Sequence, residues 1–328
     1  MSKITLLIAV VFLLSNCKTN NSSSEQSTTT ETALVKTPTF SGDSAYVFVD
    51  KQVRFGPRVP NSAAHTKCGD YLVAVLKKYG CTVYEQKFVA TTFDGKKLNA
   101  RNIIGSINPA ATKRILLASH WDSRPVADQD STKKTGAIDG ANDGASGVGV
   151  LIELARVIEQ ATKKPDVGVD LVFFDVEDGG SPLAKDEFGG FCLGSQYWAA
   201  NKHLPNYSAY FGILLDMVGA KDATFLKEGF SNQYAADITR NVWNIASRLG
   251  YNKYFIDQDG GAITDDHLPV NKTAKIPMLD IIHTQVNSQT KTFFDHWHTH
   301  QDGMQHIDPA TLKAVGHVLL QVVYEQQP

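Results

Sequence analysis

Cysteine is scarce, and long basic runs and bilayer-length apolar runs are absent. Lys and Arg total 32 against 34 Asp and Glu, a net charge of -2, and no basic stretch stands out. That balance excludes nucleic acid as a natural partner. The first apolar run, Ile4 to Leu14, falls short of the roughly 20 residues a membrane-spanning helix needs. It has the length of a secretory signal core instead. The four cysteines are Cys17, Cys68, Cys81 and Cys192. The segment from Cys68 to Cys81 reads as helix, which at about 1.5 Å per residue holds the two nearly 20 Å apart, beyond the roughly 7 Å between bridged Cα atoms. They are expected to be buried thiols. No internal repeat appears, and no linker divides the chain after about residue 36.

The leader ends in Leu14-Ser15-Asn16-Cys17, which resembles a bacterial lipoprotein cleavage box with Cys17 as the lipidated residue. A Ser-, Thr- and Asn-rich segment follows, too polar to bury a core and suited to a flexible tether. The expected organisation is a signal peptide over 1–17, a tether over 18–36 and a folded domain over 37–328. The expected location is the periplasm or a membrane of a Gram-negative bacterium, with membrane contact only through a lipid on Cys17. An ordinary signal peptide with a disordered leader is the alternative.

In the folded part, Tyr71, Leu72, Val75, Leu76 and Tyr79 recur at helical spacing and Gly80 closes that helix. TVYEQKFVA alternates as a half-exposed strand, and ARNIIGSI follows. RILLASH, VDLVFFDVED, FGILLDMVG and PMLDIIHT carry continuous apolar runs, as buried strands do. ASGVGVLIELARVIEQ, QYAADITRNVWNIASRLGY and DPATLKAVGHVLLQVVYEQ read as helices. Strands alternating with helices predict a single α/β domain: a central, twisted, mostly parallel mixed sheet with helices on both faces. Ligands of such sheets bind beyond the carboxyl ends of the strands.

Polar residues gather at those ends. RILLAS runs into His120, DLVFF into Asp175-Val176-Glu177-Asp178, and FGILL into Asp216; Asp143 stands just before the helix at Ala145. Each has a plain reading by itself. Asp143 could cap the helix, His120 could be a satisfied core histidine, Glu177-Asp178 a solvated strand end and Asp216 a turn residue. Converging on one rim, they crowd carboxylates whose mutual repulsion a divalent cation relieves. Mixed carboxylate and imidazole donors suit zinc. The segment FFDHWHTHQD adds His296, His298 and His300.

The pieces SHWDS, NDGASG, FFDVED, LLDMVGA, TDDHLP and WHTHQD, taken in order, resemble the zinc-dependent exopeptidase family of bacterial aminopeptidases and animal-type glutaminyl cyclases, over roughly 46–321. The resemblance implies that fold. It implies one Zn2+ held by Asp143, Asp178 and His298, with Glu177 as acid/base. Asp178 stands where the family often has Glu. The two-zinc aminopeptidases use five positions, here His120, Asp143, Asp178, Asp216 and His298, so a second zinc would favour a peptidase. Three features resemble the cyclases: Trp297 before His298, Asp265-Asp266-His267, and LLDMVGA. They imply catalytic roles for Asp216 and Asp266, and substrate contacts from Trp297, Asp266 and His120. The animal enzymes have His where Asp280 stands, and a Trp shortly after the acidic pair, for which Phe191 and Trp198 are the candidates.

The implied reaction converts the N-terminal Gln of peptides or exported proteins to pyroglutamate, with release of ammonia. The alternatives are an aminopeptidase of the same family and a non-catalytic binding protein.

Overall fold

The computed structural model describes residues 34–285 and 293–327. Cys17 and most of the tether therefore lie outside the described residues. Among the described residues the strands are β1 (Thr82–Thr91), β2 (Lys97–Ile107), β3 (Arg114–His120), β4 (Gly168–Phe174), β5 (Phe211–Asp216), β6 (Phe225–Lys227), β7 (Phe255–Asp259) and β8 (Met278–Ile282). The helices are α1 (Gly42–Val53), α2 (Ala63–Lys78), α3 (Ala145–Gln160), α4 (Leu193–Ala200), α5 (Gly229–Tyr234), α6 (Ala236–Arg248), the short turn α7 (His267–Pro269) and α8 (Pro309–Glu325).

Six strands form one sheet in the order β1-β2-β4-β3-β5-β8, and β6 and β7 pair separately. Strands β4, β3, β5 and β8 are parallel, and every residue in them is buried. Their unbroken apolar runs follow from being covered on both faces. Ile115 and Leu117 of β3 enter the core cluster that contains Val148, Leu151 and Ile152 of α3 and much of α8. The intervening Leu116 and Ala118 face the opposite cluster, with Phe174 and Trp198.

The expected alternation of strand and helix fails at the start of the sheet. β1 and β2 are consecutive and antiparallel, and β2 is antiparallel to β4. Only residues 92–96 separate β1 from β2, too few for a crossover helix and enough for a hairpin. The helix expected from Gln233 also begins late: α6 starts at Ala236, and Gln233 and Tyr234 belong to α5. Two helix ends match their sequence signals. Gly80 takes φ +73° after α2, and the Asp308 carboxylate accepts from Ala310 N–H with Pro309 opening α8. Cys68, Cys81 and Cys192 are free, buried thiols, and burial pushes the first two up to about 12.

A buried ion pair ties the sheet at the start of its parallel strands. Arg114 Nε and Nη2 donate to the two oxygens of Asp170, each at 2.7 Å, and Ser106 and Tyr207 hydroxyls donate to the same carboxylate. Arg114→Met strands a buried charge and is expected to cost about 3–5 kcal/mol in chemical denaturation. A loss under about 1 kcal/mol contradicts this role for the pair.

Candidate active site

The carboxyl ends of the parallel strands build the site. β3 delivers His120, β5 delivers Asp216, and the turn after β4 carries Glu177 and Asp178. Asp143 does not cap α3: the N-cap is Gly144, at φ +95°, and no side chain caps this helix. A Cβ on Gly144 would stand 2.4 Å from the Asp122 carbonyl, so glycine is required there. This leaves the Asp143 carboxylate for the site. The loop before α3 is gripped from behind by Asp302, whose two oxygens accept from Asn142 N–H at 2.8 Å and Asp143 N–H at 3.0 Å.

Asp143 lies between two histidines. His120 Nε2 is 3.1 Å from Asp143 Oδ1 and 3.2 Å from Asp216 Oδ1. His298 Nε2 is 3.6 Å from Asp143 Oδ2 and 3.1 Å from Asp178 Oδ1. Two donor sets result, His120–Asp143–Asp216 and Asp143–Asp178–His298, each with its ligand atoms within 4.8 Å of one another and all residues buried. Asp143 Oδ2 and Asp178 Oδ2 are buried without a hydrogen-bond partner. Bare carboxylate oxygens in a donor set that includes an imidazole fit a divalent cation, since each is costly to bury uncompensated.

The His-rich segment divides accordingly. His298 turns inward through a left-handed backbone, φ +54°. His296 stacks on His306, ring centroids 3.9 Å apart, and His300 Nδ1 lies 3.1 Å from Asp130 Oδ2. Neither belongs to a donor set. Val176 and Met217, beside Glu177 and Asp216, also take positive φ, so backbone strain gathers at this rim.

A cavity of about 390 Å³ opens over the centre, lined by Asp143, Glu177, Asp178, Asp216, Asp265, Phe191, Phe293, Trp297 and His298 among others. The Trp297 ring stacks on His298, centroids 3.7 Å apart. Phe191 faces this cavity, whereas Trp198 is fully buried and its Nε1 donates to His203 Nδ1 at 3.2 Å. Burial raises the Glu177 carboxyl well above the usual range; His120 opposes the shift, and Asp178, Asp265 and Asp266 reinforce it. Burial and then Asp216 push Asp265 up to about 7. Of the Asp265-Asp266 pair, the first lines the cavity and the second is fully buried. His120 is likewise buried, occupied by Asp143 and Asp216. Asp280 is fully buried, raised by burial and by the Asp265 carboxylate.

Several contributing residues were not singled out in the sequence. Asp122 accepts from Glu177 N–H at 3.0 Å and Asp178 N–H at 3.3 Å, fixing the turn after β4. Asp128 Oδ1 stands 3.4 Å from His298 Nδ1. Arg124 donates twice to Asp128, at 2.7 and 2.8 Å, and to Asp178 Oδ1 at 3.0 Å. One guanidinium thus braces Asp178 directly and His298 through Asp128. Asp122 and Arg124 do sit in or beside the SHWDS motif, which was the available signal. Partners of this kind orient the ligands, so Asp128→Asn is expected to weaken zinc binding about 10–100-fold in competition with a chelator. Unchanged affinity removes Asp128 from this role.

A sequence profile described as Peptidase family M28 matches residues 102–323. Glutaminyl-peptide cyclotransferase of Bos taurus is 26% identical over 249 residues, covering 68% of this chain and 65% of that protein, so this chain spans just under two thirds of its length. A crystal structure of Bacteroides thetaiotaomicron glutaminyl cyclase bound to N-acetylhistamine superposes with a TM-score of 0.85 at 48% identity, covering 89% of this chain and all of that one. A leucine aminopeptidase precursor from the same organism gives a TM-score of 0.84 at 48% identity, covering 90% of this chain and all of that one.

Proposed function

The chain belongs to peptidase family M28, and from that premise we propose that it is a glutaminyl-peptide cyclotransferase. It converts N-terminal glutamine of peptides to pyroglutamate and releases ammonia. The observation that carries this reading is one wall of the cavity, where Glu177 stands next to Asp178 and Trp297 stacks on His298.

Asp143, Asp178 and His298 would hold the zinc. Bound there, zinc supplies Lewis-acid polarisation of the γ-amide oxygen. The nucleophile is the substrate's own α-amine, so no side chain has to attack. Glu177 accepts the proton that the amine loses as the new C–N bond forms. It then delivers that proton to the departing amide nitrogen, which leaves as ammonia. Burial raises the Glu177 carboxyl above its usual range, the direction that suits a group which must both take and give a proton. Asp265 faces the cavity and holds the amine in attack geometry, which removes an entropic barrier. Asp266 and Asp216 back it, and His120 pairs with Asp216 in place of touching substrate. Trp297, Phe191 and Phe293 give the glutamine side chain apolar walls and exclude water.

A second reading has one observation in its favour. One ligand atom each of His120, Asp143 and Asp216 also lies within 4.8 Å of the others, as the second site of a two-zinc aminopeptidase would require. Elemental analysis of the dialysed protein is expected to give one zinc per chain; two per chain favour the peptidase. The leader supports export and a lipid on Cys17 as the membrane attachment, and export would bring Gln-initiated exported proteins within reach as substrates. Metabolic labelling with a fatty acid, lost in Cys17→Ser, tests the anchor.

A further inference from the structure

Beside the zinc ligands lies a third group of donors. Glu177, Cys192 and Asp265 are all buried, with one ligand atom from each within 4.8 Å of the others. Cys192 Sγ–H donates to Glu177 Oε1 at 3.5 Å, and the Cys192 N–H donates to the Glu177 carbonyl at 3.0 Å. Cys192 is held there in a left-handed backbone, φ +61°, just ahead of α4. Asp265 is 4% exposed, lines the cavity, and has Oδ2 buried with no hydrogen-bond partner. Both oxygens of Asp280 are buried in the same state. Two carboxylates of the cavity wall, Glu177 and Asp265, thus stand in front of a fully buried thiol, with the unpartnered Asp280 carboxyl also buried nearby.

We propose that Glu177, Cys192 and Asp265 form a second, inhibitory cation site for a thiophilic divalent metal, Zn2+ in excess or Cd2+. Metal–sulfur bonds near 2.3 Å and metal–oxygen bonds near 2.1 Å place tetrahedral ligands roughly 3.5 Å apart, which this group reaches with small side-chain movements. Three protein ligands leave the fourth position open to the cavity. The thiol proton passes to solvent as the metal–sulfur bond forms, and sulfur selects soft ions over Mg2+ or Ca2+. Occupancy engages Glu177 and Asp265 together, so the protein loses its acid/base and its amine contact at once. Metal binding here is independent of the reaction catalysed; the inhibition rests on the cyclase roles given to Glu177 and Asp265.

The test uses the zinc-loaded protein and adds Cd2+. Expected is one further equivalent bound with an ultraviolet thiolate-to-cadmium absorption band, no release of the resident zinc to a chromogenic chelator, and loss of turnover. In Cys192→Ser and Cys192→Ala the band disappears. Half-inhibition, measured against each variant's own rate, needs about tenfold more Cd2+ or above, since even outer partners of a metal cost 10–100-fold. No band in the parent protein, a band that persists in both variants, or inhibition that tracks zinc release overturns the site. The band and zinc retention are read without substrate, so they decide the site even if no cyclisation is found.

Discussion

Glu177→Gln is expected to lower kcat by about 10²–10⁴-fold while the zinc content stays at the parent level. The substitution keeps shape and removes only the ability to carry a proton. Glu177 lies on the cavity wall, and its backbone N–H is fixed by Asp122 independently of the side chain. The turn bearing Asp178 is therefore expected to hold, and with it the zinc. The amide that replaces the carboxylate cannot accept the proton from the attacking amine, so the loss falls on the chemical step and KM changes little. Full activity with zinc retained removes Glu177 from the mechanism. Loss of zinc shows that it serves the metal site instead.

The second large effect concerns the His-rich segment. His298→Ala is expected to abolish stoichiometric zinc binding, and His296→Ala and His300→Ala to leave it at the parent level, by elemental analysis after dialysis. The difference is geometric. His298 Nε2 faces Asp178 and Asp143 at 3.1 and 3.6 Å, whereas His296 is stacked on His306 and His300 is paired with Asp130. Removing His298 takes away the only imidazole of the Asp143–Asp178–His298 set and leaves two carboxylates, too few ligands to hold the ion. Zinc loss in His296→Ala or His300→Ala, with His298→Ala still loaded, overturns the assignment.

The same segment shows where the sequence could be read and where it could not. Three alternating histidines say nothing of which turns inward, because an extended stretch would place all three on one face, and the left-handed turn at His298 depends on tertiary packing. The buried parallel strands were readable because a strand covered on both faces carries an unbroken apolar run, as Ile115 to Ala118 and Gly212 to Leu215 do. Their ends then located His120, Glu177, Asp178 and Asp216. The β1–β2 hairpin was hidden because neighbouring strands carry no mark of parallel or antiparallel pairing beyond the short 92–96 connection. Contacts between distant positions, such as Asp302 with Asn142 or Asp128 with His298, leave no local pattern at all. Nor does a pair such as Asp265-Asp266 say which member reaches the cavity; the chain's local path decides it, in favour of Asp265.

The wall shared by Glu177, Asp265 and Trp297 is proposed to serve cyclisation of a substrate's own amine. Mass spectrometry of a Gln-initiated peptide incubated with the purified zinc protein tests it most directly. The expected product is lighter by one ammonia, about 17 Da, with no residue released. Release of the N-terminal residue as a free amino acid would contradict it.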